Sequence, residues 1–462
     1  MRAGYASADI TPRRSLQLSG FAARCNAPSE GVDDPLHVRA LAVEDRGDTV
    51  LLLAYDLLAI GRELHAEILQ ALGALSVAGS PPKAILCTTH THSAPATITL
   101  LGCGTPERDY WDQVVAASVA AAKQAFGSMR PARVSHLHVE LPGQSYNRRR
   151  VLADGRVAMA RRPDAPIRKT GPTWDRMLLI RLVGEDGEPI AGIASWAAHP
   201  IFNSSQRVTA DYPGELCRRL EQACGSPFIY LQGACGNINP LFDEMTRQQM
   251  LARVDALVAQ IGDIAWPEPS VQQDSALIRR TVPLKYARVV PAETLRQMRD
   301  SMAALAETGQ GTEHAMKTLA DILNIKPGDQ VPPKRLRHIA ATLQQWSGNM
   351  LERSRSPSAG TCDLALAAWR LGPADLCFVA AEAFIETAIR LSQAFPPRTV
   401  NLVAYAAPLV GYLPTDEALG EGGYEAAEAY IFYNHPAPFA HGSEPLAAHT
   451  LQSMIRELES QR

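Results

Sequence analysis

The chain has 462 residues, of which 46% are hydrophobic and 20% charged, and this balance is typical of a globular protein with a large apolar core. Its 45 Lys and Arg nearly balance its 48 Asp and Glu. The resulting net charge of −3 excludes the basic footprint of a nucleic-acid-binding protein and the polybasic patch of a membrane-surface protein.

The spacing of the cysteines and the composition of the first residues indicate in which cellular compartment the protein folds. The eight cysteines are scattered and form no C-x-x-C pair, which disfavours a disulfide framework and favours a reducing, cytoplasmic environment. The first residues contain no apolar segment typical of a signal peptide. No apolar window approaches the roughly 20 residues that a membrane-spanning helix requires, so we expect no transmembrane segment.

In chain order, apolar runs and alternations predict strands interleaved with helices. The predicted strands of the first half lie within 1–12 and at 49–55, 84–88, 132–141, 177–182, 190–196 and 227–231. The predicted helices of this half lie at 63–75, 110–126 and 212–220, and Asp211 is the expected cap of the last one. Because the middle strands alternate as half-buried strands do, we predict a layered α/β fold with a mixed sheet.

Residues 291–355 show a sequence pattern that differs from the rest of the chain. Charged amphipathic segments at 292–307, 313–323 and 334–353 predict three helices there. Strand and helix patterns return at 364–371, 376–379, 384–394 and 400–405, and a helix at 445–460 closes the chain. We predict a single domain over 1–462 with a helical insertion at 291–355. Two hypotheses stay open for the insertion: a cap over a site, or the interface of a homo-oligomer.

The sharpest local motif is T-H-T-H-S-A-P at residues 89–95, directly after an apolar strand. His90 and His92, two residues apart at the end of a strand, project to the same side and can converge at the carboxyl edge of a sheet. Metal ligation and the chance enrichment of histidine in a polar loop are both compatible with this pattern. Asp56, at the end of an earlier strand, either orients His90 or acts as a cap.

Two further residues occupy similar positions. His199 ends a wholly apolar strand, where an unpartnered imidazole would cost roughly 1–3 kcal/mol, and Glu382 follows a buried strand at the start of a helix. A histidine bonded within the core and a carboxylate at a helix N-terminus are the structural alternatives. Two histidines and a carboxylate with an open position form a usual catalytic zinc set.

Several segments resemble, in the same order along most of the first 430 residues, those of the neutral (alkaline, non-lysosomal) ceramidases. Residues 89–95 resemble the family motif T-H-T-H-S-G-P. The other similar segments are 8–12 (ADITP) with 20–21, 34–40, 198–200 with 210–214, 236–240, 379–382, and 411–412 followed by 424–425. The chain is identified as a divergent member of this superfamily, which implies the mixed-sheet α/β fold of its N-terminal catalytic domain.

The resemblance also implies a site and an activity. It implies one zinc ion per chain with four ligands, which fall on His90, His199, Glu382 and Tyr412. His92 resembles the residue that stabilises the developing oxyanion, Arg148 the arginine near the scissile amide, and Tyr424 the tyrosine that hydrogen-bonds the substrate amide. The implied activity is hydrolysis of the C–N bond of an N-acyl compound by metal-activated water.

Two differences from the family pattern restrict the mechanism and the substrate that we expect. The family's G-D-x-S-P segment, whose serine has been proposed as a nucleophile, is G-N-I-N-P here, and Asn239 at the serine position excludes a serine mechanism. We also expect no C-terminal immunoglobulin-like domain. A small, soluble, non-sphingolipid N-acyl compound is therefore the expected substrate.

Other functions remain open at this point. The same metal site suits an ester or lactone hydrolase, because such substrates have an easier leaving group. A metal-binding module without catalysis is a second alternative, and a cysteine amidase built on Cys235 is a third. For Arg148, which begins an Arg-Arg-Arg run, a solvated basic segment is the structural alternative.

Overall fold

The computed structural model describes residues 1–75, 80–159, 161–163, 165–243, 245–262, 264–269, 273–323, 331–354 and 360–460. Its strands are β1 (Arg2–Asp9), β2 (Gly31–Val32), β3 (His37–Asp45), β4 (Asp48–Tyr55), β5 (Lys83–Thr88), β6 (Arg130–Glu140), β7 (Ser145–Asn147), β8 (Arg149–Leu152), β9 (Val157–Met159), β10 (Ile167–Thr170), β11 (Arg176–Gly184), β12 (Pro189–Trp196), β13 (Arg207–Val208), β14 (Phe228–Gln232), β15 (Ile238–Pro240), β16 (Ser275–Lys285), β17 (Thr361–Leu371), β18 (Ala374–Val379), β19 (Glu382–Ala383), β20 (Thr399–Val403) and β21 (Tyr412–Leu413).

The helices of the described residues are α1 (Arg62–Gly73), α2 (Arg108–Gly127), α3 (Asp211–Cys224), α4 (Arg247–Gly262), α5 (Ala292–Thr308), α6 (Glu313–Leu323), α7 (Pro333–Arg353), α8 (Ile385–Gln393), α9 (Asp416–Glu421), α10 (Ala429–Phe432) and α11 (Ser443–Ser460). A 3-10 turn at Ala22–Arg24 and a π-helical turn at Tyr424–Glu428 complete them. Within the described residues, no helix combines the length and the apolar character needed to cross a bilayer.

The larger sheet contains eight strands in the order β14-β12-β11-β6-β1-β3-β4-β5. Its edge pairs, β12 with β14 and β4 with β5, are parallel, and the pairs between them are antiparallel. The side-chain alternation of its strands supplies two apolar faces. Leu41 and Val43 join the core shared with the second sheet, whereas Ala42 and Leu53 belong to the core that includes α1 and α2.

The second sheet has four strands in the order β16-β17-β18-β20. β17 pairs antiparallel with both β16 and β18, and β20 is parallel to β18. α11 packs on β16 and β17, and α8 packs on β20. The two sheets with their covering helices confirm the predicted mixed-sheet, layered α/β fold.

The three helices predicted between residues 291 and 355 are present as α5, α6 and α7, between β16 and β17, which pair with each other. The apolar stripes of α5 and α7 face each other and the main core: Met302 and Leu305 of α5 and Leu343 and Trp346 of α7 are buried in it. The helical character of this stretch could be predicted because its apolar residues recur with a helical period.

Two acidic residues make contacts in the structure that differ from those predicted from the sequence. Asp56 does not contact His90, because both of its carboxylate oxygens accept hydrogen bonds from the buried Arg39 (2.8 and 2.9 Å). Asp211 is the first residue of α3 rather than its cap, and its side chain accepts the N–H of Tyr212 (2.6 Å).

The Arg39–Asp56 pair yields a prediction about stability. Replacing Arg39 by Met leaves the fully buried Asp56 without its charge partner, and we expect the free energy of unfolding to fall by about 3–5 kcal/mol. Lys83→Met is the matched control, because Lys83 pairs with Asp48 (2.7 Å) on the exposed surface and should cost at most about 1 kcal/mol. Equal losses in urea unfolding of the two variants would contradict this assignment.

Candidate metal centre

The candidate site residues follow the carboxyl ends of strands from both large sheets. His90 follows β5, His199 follows β12, and Glu382 follows β18. Backbone hydrogen bonds from the segment 403–407, just after β20, join it to β5, to the end of β14 and to the residues after β18. This segment therefore brings the ends of the two sheets together at one place.

His90 and His199 are fixed by their second ring nitrogens. Nδ1 of His90 lies 2.8 Å from the carbonyl oxygen of Leu58, and Nδ1 of His199 lies 2.9 Å from that of Cys235, so the neutral form of each ring carries its proton on Nδ1. The two Nε2 atoms then present lone pairs to each other at 3.2 Å. His90 adopts a left-handed backbone conformation (φ 66°), which is uncommon for a non-glycine residue and aims its ring at this point.

Glu382 and Tyr412 are neighbours in a short parallel ladder. β19 pairs Glu382 with Tyr412 of β21, and the N–H of Glu382 donates to the carbonyl of Gly411 (2.8 Å). The Oε2 atom of Glu382 lies 3.3 Å from Nε2 of His90 and 3.8 Å from Nε2 of His199. The four positions that the resemblance assigns to zinc ligands thus lie together in the structure.

These donor atoms fit a zinc-class cation. Ligands about 2.0–2.1 Å from a tetrahedral ion lie roughly 3.3 Å from one another, and the three distances among His90 Nε2, His199 Nε2 and Glu382 Oε2 are 3.2, 3.3 and 3.8 Å. His90, His199 and Glu382 are all buried. Two facing lone pairs in a desolvated centre are unfavourable without a positive charge, so this donor set is suited to hold a metal ion.

His92 lies in the same cluster but is bound differently. Its Nε2 is 3.2 Å from Nε2 of His90, and the ligand atoms of His90, His92 and His199 all lie within 4.8 Å of one another. Metal-binding histidines usually donate their second ring N–H to a carbonyl or carboxylate, whereas Nδ1 of His92 lies against the backbone of Gly20 and forms no hydrogen bond of regular geometry among the described residues. A non-ligand role of His92 is consistent with this difference.

The ring of His92 packs tightly between neighbours from the N-terminal segment. A Cβ atom on Gly20, whose φ is +101°, would lie 2.6 Å from Cγ of His92, so only glycine fits there. Phe21 also contacts the ring (4.8 Å between centroids). Burial, together with nearby positive charge, lowers the pKa of His92 and of His199 well below the ordinary histidine value, so both rings are neutral at pH 7.

Arg148 is buried and fully engaged, which excludes the solvated basic segment for this residue. Its Nε donates to Glu425 (2.9 Å), and its Nη2 donates to the hydroxyl of Tyr412 (2.9 Å) and to the carbonyl of Gly236 (2.8 Å). Nη1 makes a longer contact with Asn239 (3.4 Å). The structure therefore places Arg148 against the candidate ligand Tyr412.

Tyr424 begins the π-helical turn, a distortion that is frequent at functional sites. Its ring lies edge-on to that of Tyr412 (5.9 Å between centroids). Burial raises the pKa of Tyr424 above its ordinary value, so its hydroxyl stays protonated and can act as a hydrogen-bond donor.

Two tyrosines near the centre were missed from the sequence. Tyr405 donates from its hydroxyl to Oε2 of Glu382 (3.3 Å), and Tyr433 donates to Oε1 of the same carboxylate. Tyr405 could have been found because it ends a predicted strand; no sequence pattern marks Tyr433.

The chain is similar to known proteins both in part of its sequence and in its fold. Residues 1–229 match the family model described as neutral/alkaline non-lysosomal ceramidase, N-terminal, and no curated protein matches the sequence. The crystal structure of neutral ceramidase from Pseudomonas aeruginosa is similar with a TM-score of 0.70 and 18% identity, over 100% of this chain and 74% of that chain. A structure of ceramidase complexed with C2 has the same TM-score and identity, over 100% of this chain and 75% of that chain.

The environment of Cys235 yields a prediction against the cysteine amidase. Burial raises the pKa of the Cys235 thiol to about 12, so almost none of this thiol is ionised and reactive at pH 7.5. We expect iodoacetamide at pH 7.5 to leave hydrolysis unchanged while it labels the half-buried Cys25, as mass spectrometry of the labelled protein would show. Inactivation that tracks labelling of Cys235 would restore the cysteine mechanism.

Proposed function

Because this chain belongs to the neutral/alkaline non-lysosomal ceramidase superfamily, we propose that it is a zinc-dependent hydrolase that cleaves the amide C–N bond of an N-acyl compound. Family and fold support a hydrolase. The observation that carries the metal dependence is the convergence of His90 Nε2, His199 Nε2 and Glu382 Oε2 at one buried point. We propose one zinc ion per chain, with Tyr412 as the fourth ligand.

The side chains around the metal centre have roles that differ from that of the metal ion. When bound, zinc supplies a Lewis acid and lowers the pKa of water to about 7. Amide hydrolysis adds the elements of water across the C–N bond, so negative charge develops on the carbonyl oxygen and the leaving nitrogen must gain a proton. We propose that His92 and Tyr424 donate hydrogen bonds to the carbonyl group, since both are neutral donors beside the ligands.

We retain Arg148 as a site residue and propose that it acts chiefly through Tyr412. Its guanidinium already donates to Tyr412, to Glu425 and to a backbone carbonyl. Few of its N–H groups are left for a substrate. A contact with the scissile amide, as the resemblance implies, would have to replace one of these bonds.

The helices α5–α7 favour a cap over an oligomer interface. His338 of α7 contacts the carbonyl of Gly102 (2.8 Å), in the loop after the His90–His92 motif. Trp346 of α7 donates to the carbonyl of His435 (2.8 Å), just after Tyr433. Because α7 contacts two loops that adjoin the centre, we propose that it restricts access and favours a small, soluble N-acyl substrate over a sphingolipid.

The proposed function is tested by paired substrates that share an acyl group and differ only in amide or ester linkage. We expect hydrolysis of the amides, loss of activity after removal of metal with a chelator, and recovery with one equivalent of zinc. Activity on the esters or lactones alone would favour the ester hydrolase. Absence of any turnover in the zinc-loaded protein would favour the non-catalytic metal-binding module.

The proposed role of His92 has its own test. In His92→Ala we expect zinc content equal to that of the parent, because His90 and His199 keep their fixed rings. Loss of one oxyanion donor should lower kcat by about 100- to 1000-fold. Elemental analysis and steady-state kinetics check both expectations, and loss of zinc from His92→Ala would make His92 a ligand instead.

A further inference from the structure

The two oxygens of the Glu382 carboxylate have different surroundings. Oε2 faces the histidine nitrogens, 3.3 Å from His90 and 3.8 Å from His199. Oε1 accepts a hydrogen bond from the hydroxyl of Tyr433. A carboxylate on a single side-chain torsion can rotate to exchange its oxygens, so a fixed partner on one of them decides which oxygen enters the centre.

Tyr433 is itself held in place by the backbone that carries Tyr412. It directly follows α10, and its ring lies against Gly411, where a Cβ atom would be 3.0 Å from Cγ of the tyrosine ring. Gly411 has φ +108°, a conformation that L side chains rarely adopt. The same Gly411 accepts the N–H of Glu382 (2.8 Å). Tyr433 thus contacts Glu382 in one strand of the ladder and the ring of Tyr412 in the other (6.3 Å between centroids).

We propose that Tyr433 is a positioning residue for the metal-binding carboxylate: its hydroxyl holds Oε1 of Glu382, so that Oε2 stays directed at His90 and His199. This inference rests on the proposed metal centre. Tyr405 cannot substitute for Tyr433, because its hydroxyl donates to Oε2, the oxygen that faces the histidines, and accepts a hydrogen bond from Cys235 (3.1 Å). Tyr433 alone, among the described residues, donates to Oε1.

The test compares Tyr433→Phe with Tyr430→Phe. Phenylalanine keeps the ring against Gly411 and removes only the hydroxyl. Tyr430 is a suitable control because it lies in α10, the short helix that Tyr433 directly follows, and contacts Trp346 edge-on (5.7 Å between centroids). We expect the zinc Kd of Tyr433→Phe, measured by competition with a chromophoric chelator, to rise by about 10- to 100-fold, while that of Tyr430→Phe stays within about twofold of the parent.

Two further readouts separate positioning from a general structural effect. We expect kcat of Tyr433→Phe to fall with KM nearly unchanged, and the unfolding midpoint of the metal-free variant to match that of the parent. Crystal structures of the metal-free parent and variant should show the Glu382 carboxylate rotated in the variant only. An unchanged carboxylate together with an unchanged zinc Kd overturns the inference. A parent that binds no zinc overturns the proposed function, and the carboxylate orientation in the metal-free crystals then still decides the role of Tyr433.

Discussion

Two imidazole nitrogens face each other in a buried centre. Since His90 and His199 both bond through Nδ1 to backbone carbonyls, their Nε2 atoms, 3.2 Å apart, both offer lone pairs when the two rings are neutral. Burial keeps His199 neutral, so protonation of that ring does not readily relieve the repulsion. The adjacent carboxylate of Glu382 adds negative charge at the same point. The other residues of the site hold these two nitrogens and this carboxylate in positions from which they can bind a cation.

The fold creates the arrangement by joining the ends of two sheets. The segment 403–407 hydrogen-bonds to strands of both sheets, and Glu382 and Tyr412 then pair in their own short ladder. Around the donors lies a second layer of polar contacts: Tyr433 on Glu382, and Arg148 on the Tyr412 hydroxyl. Such outer contacts orient ligands and limit their motion, which is why we assign roles to residues that do not face the centre directly.

Much of the fold and part of the site could be predicted from the sequence. The apolar run before His90 predicts a strand, and β5 ends two residues before it; the helical period of residues 292–307 and 334–353 likewise predicts α5 and α7. These are local patterns, and local patterns determine local structure. The grouping of the seven candidate site residues came from ordered resemblance to a family, and the structure places these residues together; their individual roles remain proposals.

The features of the fold and the site that could not be predicted from the sequence depend on contacts between distant parts of the chain. The sequence allows Asp56 to be a partner of His90, but Asp56 instead binds Arg39 of the neighbouring strand, and sequence spacing does not show which buried charge it contacts. Tyr433 lies 51 residues from Glu382 in a segment without a distinguishing motif. Its position depends on Gly411 leaving room for its ring, a packing relation that only the folded structure shows.

The most direct test of this account is the metal content of the purified protein, measured by elemental analysis beside that of His90→Ala and His199→Ala. The account predicts about one zinc per chain in the parent and loss of that zinc in both variants, with each variant retaining the folded state of the parent by circular dichroism. A parent that binds no metal after incubation with zinc and dialysis, or variants that keep a full equivalent, would contradict it.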